Sequence, residues 1–467
     1  MYGIVFAASG AVLVLEILAV RLLAPYVGST LETYTTIIGV VLAGIAGGAA
    51  LGGKLADTVD PRRLLAFALT AGGILTIAVV PLVRIIGEGT AGANGEGAAF
   101  LIALIALLPP AAILSAVTPA VAKLLLHGLD DAGAVVGRVS AWSTGGALAG
   151  TFLAGFVFVP LFPTRATVYA IGGALVLTGV VLGARPRVMA LSLAAAVALM
   201  GLAVGSKCDT ESVYFCASVE ADDARPSGRT LVLDDLRHSY VDLEDPTHLE
   251  FAYTRWMGDV IDRRRPRDAV FLGGGGFTLP RYLAARVPGA RSTVLEVDEQ
   301  LVELVRDELG LRTSDALRVR TGDARVTLRD TPTASADLVV GDAFGGLSVP
   351  WHLTTREFVD EIRRVLRPGG VYALNLIDRG PLDFARAEAA TLLDRFADVA
   401  LVDDAADPGG NLVLLASDEP LDDLRTVRFG QEGELHDRAW MEEFARGADV
   451  LTDDKAPADQ LLSQRQR

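Results

Sequence analysis

The chain has 467 residues, enough for two or three domains, and 51% of them are hydrophobic with a mean hydropathy of +0.40, too apolar for an ordinary soluble protein. Charge is split along it: ten basic and eight acidic residues lie up to position 204, while the remainder carries 32 basic and 49 acidic, a net of −17. An acidic second part argues against a nucleic-acid partner, and the only cysteines, Cys208 and Cys216, cannot build a metal cluster of the usual Cys/His spacing, so no metal is expected.

Apolar runs long enough to cross a ~30 Å hydrocarbon core recur near 3–23, 33–55, 64–86, 98–124, 140–162, 165–183 and 187–204. The expectation is a membrane bundle of about seven helices in contact with the lipid bilayer. The N-terminal run lacks a basic flank and is followed by further spans, unlike a cleavable signal. Glycine is dense in the second run (Gly39, Gly44, Gly47, Gly48, Gly52, Gly53), which places that helix at the centre of the bundle. Pro109 and Pro110 predict a kink in the fourth. Glu16 lies inside the first run and Arg21 near its end; a carboxylate in lipid calls for an interior partner. Lys54, Arg62, Arg63, Lys123, Arg138, Arg185 and Arg187 fall in alternate loops. The positive-inside rule makes those loops cytoplasmic. Seven crossings then put the second part outside, where Cys208 and Cys216 could pair. The cytoplasmic origin of nucleoside cofactors points the other way.

Residues 1–204 therefore read as a membrane domain, 205–258 as a linking segment, and 259–467 as an α/β domain. In the last, strand-like and helical runs alternate as in a doubly wound parallel sheet. Strand Ala269–Leu272 runs into Gly273, Gly274, Gly275 and Gly276, then a helix over 278–286. Strand Ser292–Val297 carries Glu296 at its end, with Asp298 just beyond. Strand Arg318–Thr321 precedes Asp323, and strand Asp337–Val340 precedes Asp342. A helix over 355–366 leads through the turn Arg367–Gly370 to strand Val371–Leu376. Ligands bind at the carboxyl ends of such strands. Glycines let a ligand approach the backbone. A carboxylate about 20 positions later can accept from both hydroxyls of a ribose, which makes Glu296 the candidate and Asp298 the reserve. Asp323 could accept from an adenine amino group, and Asp342 would lie near the reacting end.

This series resembles the spermidine synthase family, in particular its membrane-fused members. The resemblance is carried by LVLDDLRHSYVDLEDP (231–246), FAYTRWM (251–257), FLGGGGFTLPRYL (271–283), VLEVDEQLVELVR (294–306), TGDARVTL (321–328), DLVVGDAFGG (337–346), RVLRPGGVYALNL (364–376) and LTDDKAP (451–457). LEILAVRLLAPYVGST (15–30) and AGGAALGGKLAD (46–57) are similar in the membrane half. It implies a Rossmann-like fold of the class I methyltransferase type, with a β-rich subdomain over 210–258, and a homodimer. It implies aminopropyl transfer from decarboxylated S-adenosylmethionine to a putrescine-like amine. Glu296 would hold ribose, Asp323 adenine, Asp342 would take the proton of the attacking amine, and Tyr253 would line the acceptor site. Gly276 and Gly345 stand where the family has aspartates, Thr254 where it has a histidine, and His238 where it has a glutamine. A diamine's cationic ends need carboxylates. Two other functions are therefore expected alternatives: a methyltransferase using S-adenosylmethionine, and a non-catalytic membrane sensor or transporter with a nucleoside- or polyamine-binding domain.

Overall fold

The computed structural model describes residues 1–28, 31–90, 95–128, 131–183, 198, 208–346, 349–404, 409–430 and 432–463. The chain divides into two compact units, Met1–Cys216 and Ala217–Arg467.

Among the described residues, unit 1 holds six helices long and apolar enough to cross a membrane: α1 (Tyr2–Val27), α2 (Leu31–Thr58), α3 (Pro61–Gly89), α4 (Gly97–Leu125), α5 (Ala132–Leu161) and α6 (Thr164–Gly183). The seventh expected span, 187–204, lies outside the described residues. Small residues set the helix contacts, because a backbone can approach only where no side chain intervenes. A Cβ at Gly48 of α2 would fall 1.9 Å from the Ala112 carbonyl oxygen on α4, and one at Gly146 of α5 would fall 2.1 Å from the Phe6 carbonyl oxygen on α1. The glycine-rich α2 is nevertheless not the central helix. It presents Gly44, Gly48 and Gly52 to α4 and leaves Leu42, Leu51 and Leu55 exposed. The most enclosed helix is α3, which packs extensively on α6 and also meets α1 and α4. A π-helical turn, Ala103–Leu107, precedes Pro109 and Pro110 in α4. A proline has no N–H to continue the helical ladder, and the register shift absorbs that loss.

Polar groups occupy both ends of this unit. Asp60 caps α3 by accepting from the Arg62 and Arg63 N–H groups. Among the described residues, the Glu16 Oε2 is buried without a hydrogen-bond partner. Arg21 instead reaches Glu211 (3.2 Å), the Thr164 hydroxyl (3.1 Å), and the Ser212 and Val213 carbonyls. Cys208 and Cys216 form a disulfide.

Unit 2 begins with an antiparallel meander after a short strand β1 (Thr210–Glu211): β2 (Cys216–Ala221), β3 (Gly228–Leu233) and β4 (Leu236–Asp242). Helix α7 (Ala252–Arg264) carries Tyr253 and runs across the boundary that the sequence suggested at 258. An eight-stranded sheet follows. Its parallel part comprises β5 (Asp268–Leu272), β6 (Arg291–Glu296), β7 (Leu317–Thr321), β8 (Ala336–Gly341) and β9 (Leu366–Asp378). The sheet is mixed, not parallel throughout. Strands β10 (Asp398–Asp404), β11 (Gly410–Ser417) and β12 (Gly433–His436) add antiparallel on one side, in the order β12-β10-β11-β9-β8-β5-β6-β7. The Arg367–Gly370 segment is part of β9, not a separate turn before it; Gly369 takes φ 73° within the strand. The central strands are buried along their length, in keeping with their unbroken Val, Leu and Ala runs.

Candidate functional site

Three backbone hydrogen bonds bring the strand tips side by side. The Asp342 N–H donates to the Leu272 carbonyl (2.9 Å), the Gly273 N–H to the Leu295 carbonyl (2.9 Å), and the Gly322 N–H to the Glu296 carbonyl (2.8 Å). Gly273–Gly276, Glu296, Asp323 and Asp342 therefore sit along one edge of the sheet, at the carboxyl ends of β5, β6, β7 and β8.

The glycine turn is shaped by its neighbours. Gly273 has φ 89°, and a Cβ there would fall 2.4 Å from the Asp342 carbonyl oxygen. Only glycine combines that conformation with that approach. The Gly276 N–H donates to the Ser239 hydroxyl of β4 at 3.0 Å. A Cβ at Gly276 would stand 2.9 Å from the Ser239 Cβ and 3.0 Å from Val241 Cγ2, so Ser239 and Val241 fill the space a carboxylate side chain would need. Phe277 is fully buried in the left-handed region at φ 59°, and its ring lies against Gly274. A non-glycine residue there costs on the order of 1–3 kcal/mol, which the surrounding packing must offset.

Glu296 is buried, and its two oxygens accept from the Gly274 N–H (2.7 Å) and the Asp298 N–H (3.0 Å). Burial pushes its carboxyl above the usual range, and those two N–H groups pull against the rise. The Gly275 N–H also holds this carboxylate, which leaves it about one acceptor position for a further donor. Asp298 caps the helix α8 (Glu299–Glu308) by accepting from the Gln300 and Leu301 N–H groups. Asp323 caps the short helix 324–328: one oxygen accepts from the Val326 N–H (3.1 Å), and the other lies 2.8 Å from His352 Nε2. His352 was not singled out in the sequence, because it reaches Asp323 from a different loop. Asp453 forms a two-pronged ion pair with Arg325 (2.6 and 2.7 Å) beside this edge.

Asp342 has the most distinct setting. The Tyr253 hydroxyl donates to its Oδ2 at 3.3 Å, and Asn375 Nδ2 on β9 donates to its Oδ1 at 2.8 Å. Asn411 Nδ2 on β11 donates in turn to Asn375 Oδ1 at 3.0 Å. Burial raises the Asp342 carboxyl to about 6, against the lowering effect of Asn375 and Tyr253. The Tyr253 hydroxyl is driven well above its usual value by burial and then by the Asp342 charge, so it stays a donor. These groups line a cavity of about 410 Å³ together with Arg237, His238, Glu250, Phe251, Phe344 and Asn411. His238 is held neutral, its pKa lowered to about 4 by burial, and its Nδ1 has no hydrogen-bond partner among the described residues. The Arg237 guanidinium stands 5.7 Å over the Phe251 ring, which stacks on Tyr253. The cavity walls include Asp342 and Tyr253 but not Glu296, Asp323 or the glycine turn. Asn375, Asn411 and Arg237 are further residues that the sequence alone did not single out.

A methyltransferase domain model matches residues 271–374. The chain is 28% identical over 181 residues to a polyamine aminopropyltransferase of Vibrio vulnificus, covering 38% of this chain and 59% of that protein. It is 38% identical over 138 residues to polyamine aminopropyltransferase 2 of Streptomyces coelicolor, covering 28% of this chain and 24% of that protein. Among solved structures, a probable spermidine synthase from Corynebacterium glutamicum is 29% identical and aligns with 53% of this chain and 97% of its own, at a TM-score of 0.49. The chain spans 59%, 53% and 24% of the first three curated relatives it matches. The C-terminal half of the chain is thus similar to polyamine aminopropyltransferases and contains a match to a methyltransferase domain.

Proposed function

We propose that unit 2 is a transferase domain that holds a primary amine against Asp342 and alkylates it, in the manner of an aminopropyltransferase, from decarboxylated S-adenosylmethionine. The observation that carries this reading is the Asp342 carboxylate, buried at a cavity wall with its ionisation poised near pH 6. A general base works best when its pKa lies near the operating pH. The substrate ammonium gives one proton to Asp342. Its freed lone pair attacks the donor carbon next to the sulfonium, the carbon–sulfur bond breaks, and the electron pair neutralises the sulfur. Asp342 then returns the proton to solvent. Tyr253 and Asn375 keep the carboxylate oriented. Glu296, through its one remaining acceptor position, is the group for the donor's ribose. Asp323, with the Val326 N–H on one oxygen and His352 on the other, keeps a lone pair on each for the adenine amino group.

A second reading is favoured by the closed state of the donor side. The Glu296 carboxylate already accepts from the Gly274, Gly275 and Asp298 N–H groups, and the Phe277 ring lies against Gly274. On this reading the domain binds an amine without group transfer. Calorimetry of the purified full chain with putrescine, S-adenosylmethionine and its decarboxylated form separates the two. Donor binding with aminopropyl product supports the transferase. Amine binding without any nucleoside binding supports the sensor. Putrescine binding left unchanged by Asp342→Asn would sink both.

A further inference from the structure

Helix directions in unit 1 fix which loops share an end. α1 and α5 run parallel, since Tyr2 and Phe6 meet Trp142, and Gly10 meets Gly146 and Gly150. α6 runs antiparallel to α3, since Gly172 meets Gly73 and Ile77 while Gly183 meets Ala66. Lys123 at the end of α4 pairs with Asp57 at the end of α2 (2.7 Å). Tyr26 at the end of α1 packs at Gly87, near the end of α3. One end of the bundle thus gathers Lys54, Arg62, Arg63, Lys123, Arg138 and the last residue of α6, Gly183.

Glu211 lies at the other end. It is held there by Arg21 near the end of α1 and by the Thr164 N–H at the start of α6 (3.2 Å). Gly183 and Glu211 are therefore at opposite ends of the unit, and between them the sequence has the apolar run 187–204. Basic residues in short loops mark the cytoplasmic side. Stable disulfides belong to oxidising compartments. The Cys208–Cys216 bridge brackets Glu211, at the end opposite the basic loops. Loop charge and cysteine pairing are independent signals, and the contacts of Glu211 make them agree.

We infer that the chain crosses the membrane an odd number of times and emerges at Cys216 on the extracytoplasmic side, so that the Asp342 cavity takes its amine from outside the cytoplasm. No helix among the described residues after Gly183 is long and apolar enough to return the chain. The ligand clause rests on the amine reading above; the membrane clause does not.

Two labelling experiments on the full chain test it. Intact spheroplasts are first treated with the permeant N-ethylmaleimide, which blocks free thiols. An impermeant phosphine reductant is then added, followed by an impermeant maleimide–polyethylene glycol. The native chain is expected to gain two labels, and only after reduction. In the second, Asp307→Cys on the exposed face of α8, in a Cys208→Ser/Cys216→Ser background, is expected to take one label from outside. Consumption of the native thiols by N-ethylmaleimide before reduction, or labelling of either protein only after lysis, would overturn the inference. Calorimetry with putrescine on the purified chain reports separately on the amine reading, whichever side the label reaches.

Discussion

Asp342 and Asn375 show how the site tunes one proton. The Asn375 amide favours the ionised form of Asp342, and Asn411 fixes the amide's orientation by occupying its oxygen. The amine binding proposed above needs the ionised carboxylate, so affinity should rise with pH through about 6. Asn375→Ala removes a hydrogen bond to the charged form and should displace that rise to higher pH, with little change on the alkaline plateau. Calorimetry of amine binding between about pH 5 and 8 measures it; coincident curves for the two proteins would discard the role. The same carboxylate costs stability. Its folded-state value stands above the ordinary 3.8, so the folded chain binds the proton more tightly than the unfolded one. The penalty is absent below about pH 4, grows between 4 and 6, and is fully present above. Asp342→Asn should therefore raise the stability of unit 2 at pH 7.5 by about 1–3 kcal/mol, and the gain should vanish on acidification. Thermal melting at several pH values checks the sign. Glu296, Asp323 and Asp342 were legible in the sequence because acids at the ends of alternating strands stand out. Asn375, Asn411, Ser239 and Phe277 were not, because a residue's neighbours across a sheet depend on strand order, which periodicity does not record.

At the scale of elements, hydrophobic patterning located the described helices to within a few residues at most ends, because spans need length and apolarity and little else. The role of α2 was misjudged for a physical reason. Glycine density reports that some backbone comes close, not how many sides of the helix are covered. Gly44, Gly48 and Gly52 recur every four residues on the face toward α4, whereas Gly39 and Gly47 face open space. Gly48→Leu should break the α2–α4 contact, since no rotamer avoids the Ala112 carbonyl 1.9 Å from its first carbon. Gly47→Leu on the open side should be tolerated. Size-exclusion profiles of the two variants in detergent, with melting midpoints, test the contrast; equal loss or equal tolerance would contradict it. Strand direction was likewise hidden. Strands β10 and β11 are buried like the parallel strands before them, yet they pair antiparallel, because the few residues between Asp404 and Gly410 are too short for a crossover and fit only a return.

For the molecule as a whole, composition suggested two parts facing different solvents and meeting near 204; by its contacts the chain separates into the compact units Met1–Cys216 and Ala217–Arg467. The Arg21 network shows how late unit 1 can be completed. Its guanidinium lies in the first helix, but Glu211, Ser212 and Val213 follow about 190 residues later. At ribosomal speeds of about 5–20 residues per second, Arg21 waits roughly 10–40 s for its acceptors. Biogenesis of this bundle must therefore pass through a stage in which an arginine sits near the end of the first helix while its final ligands are still being translated.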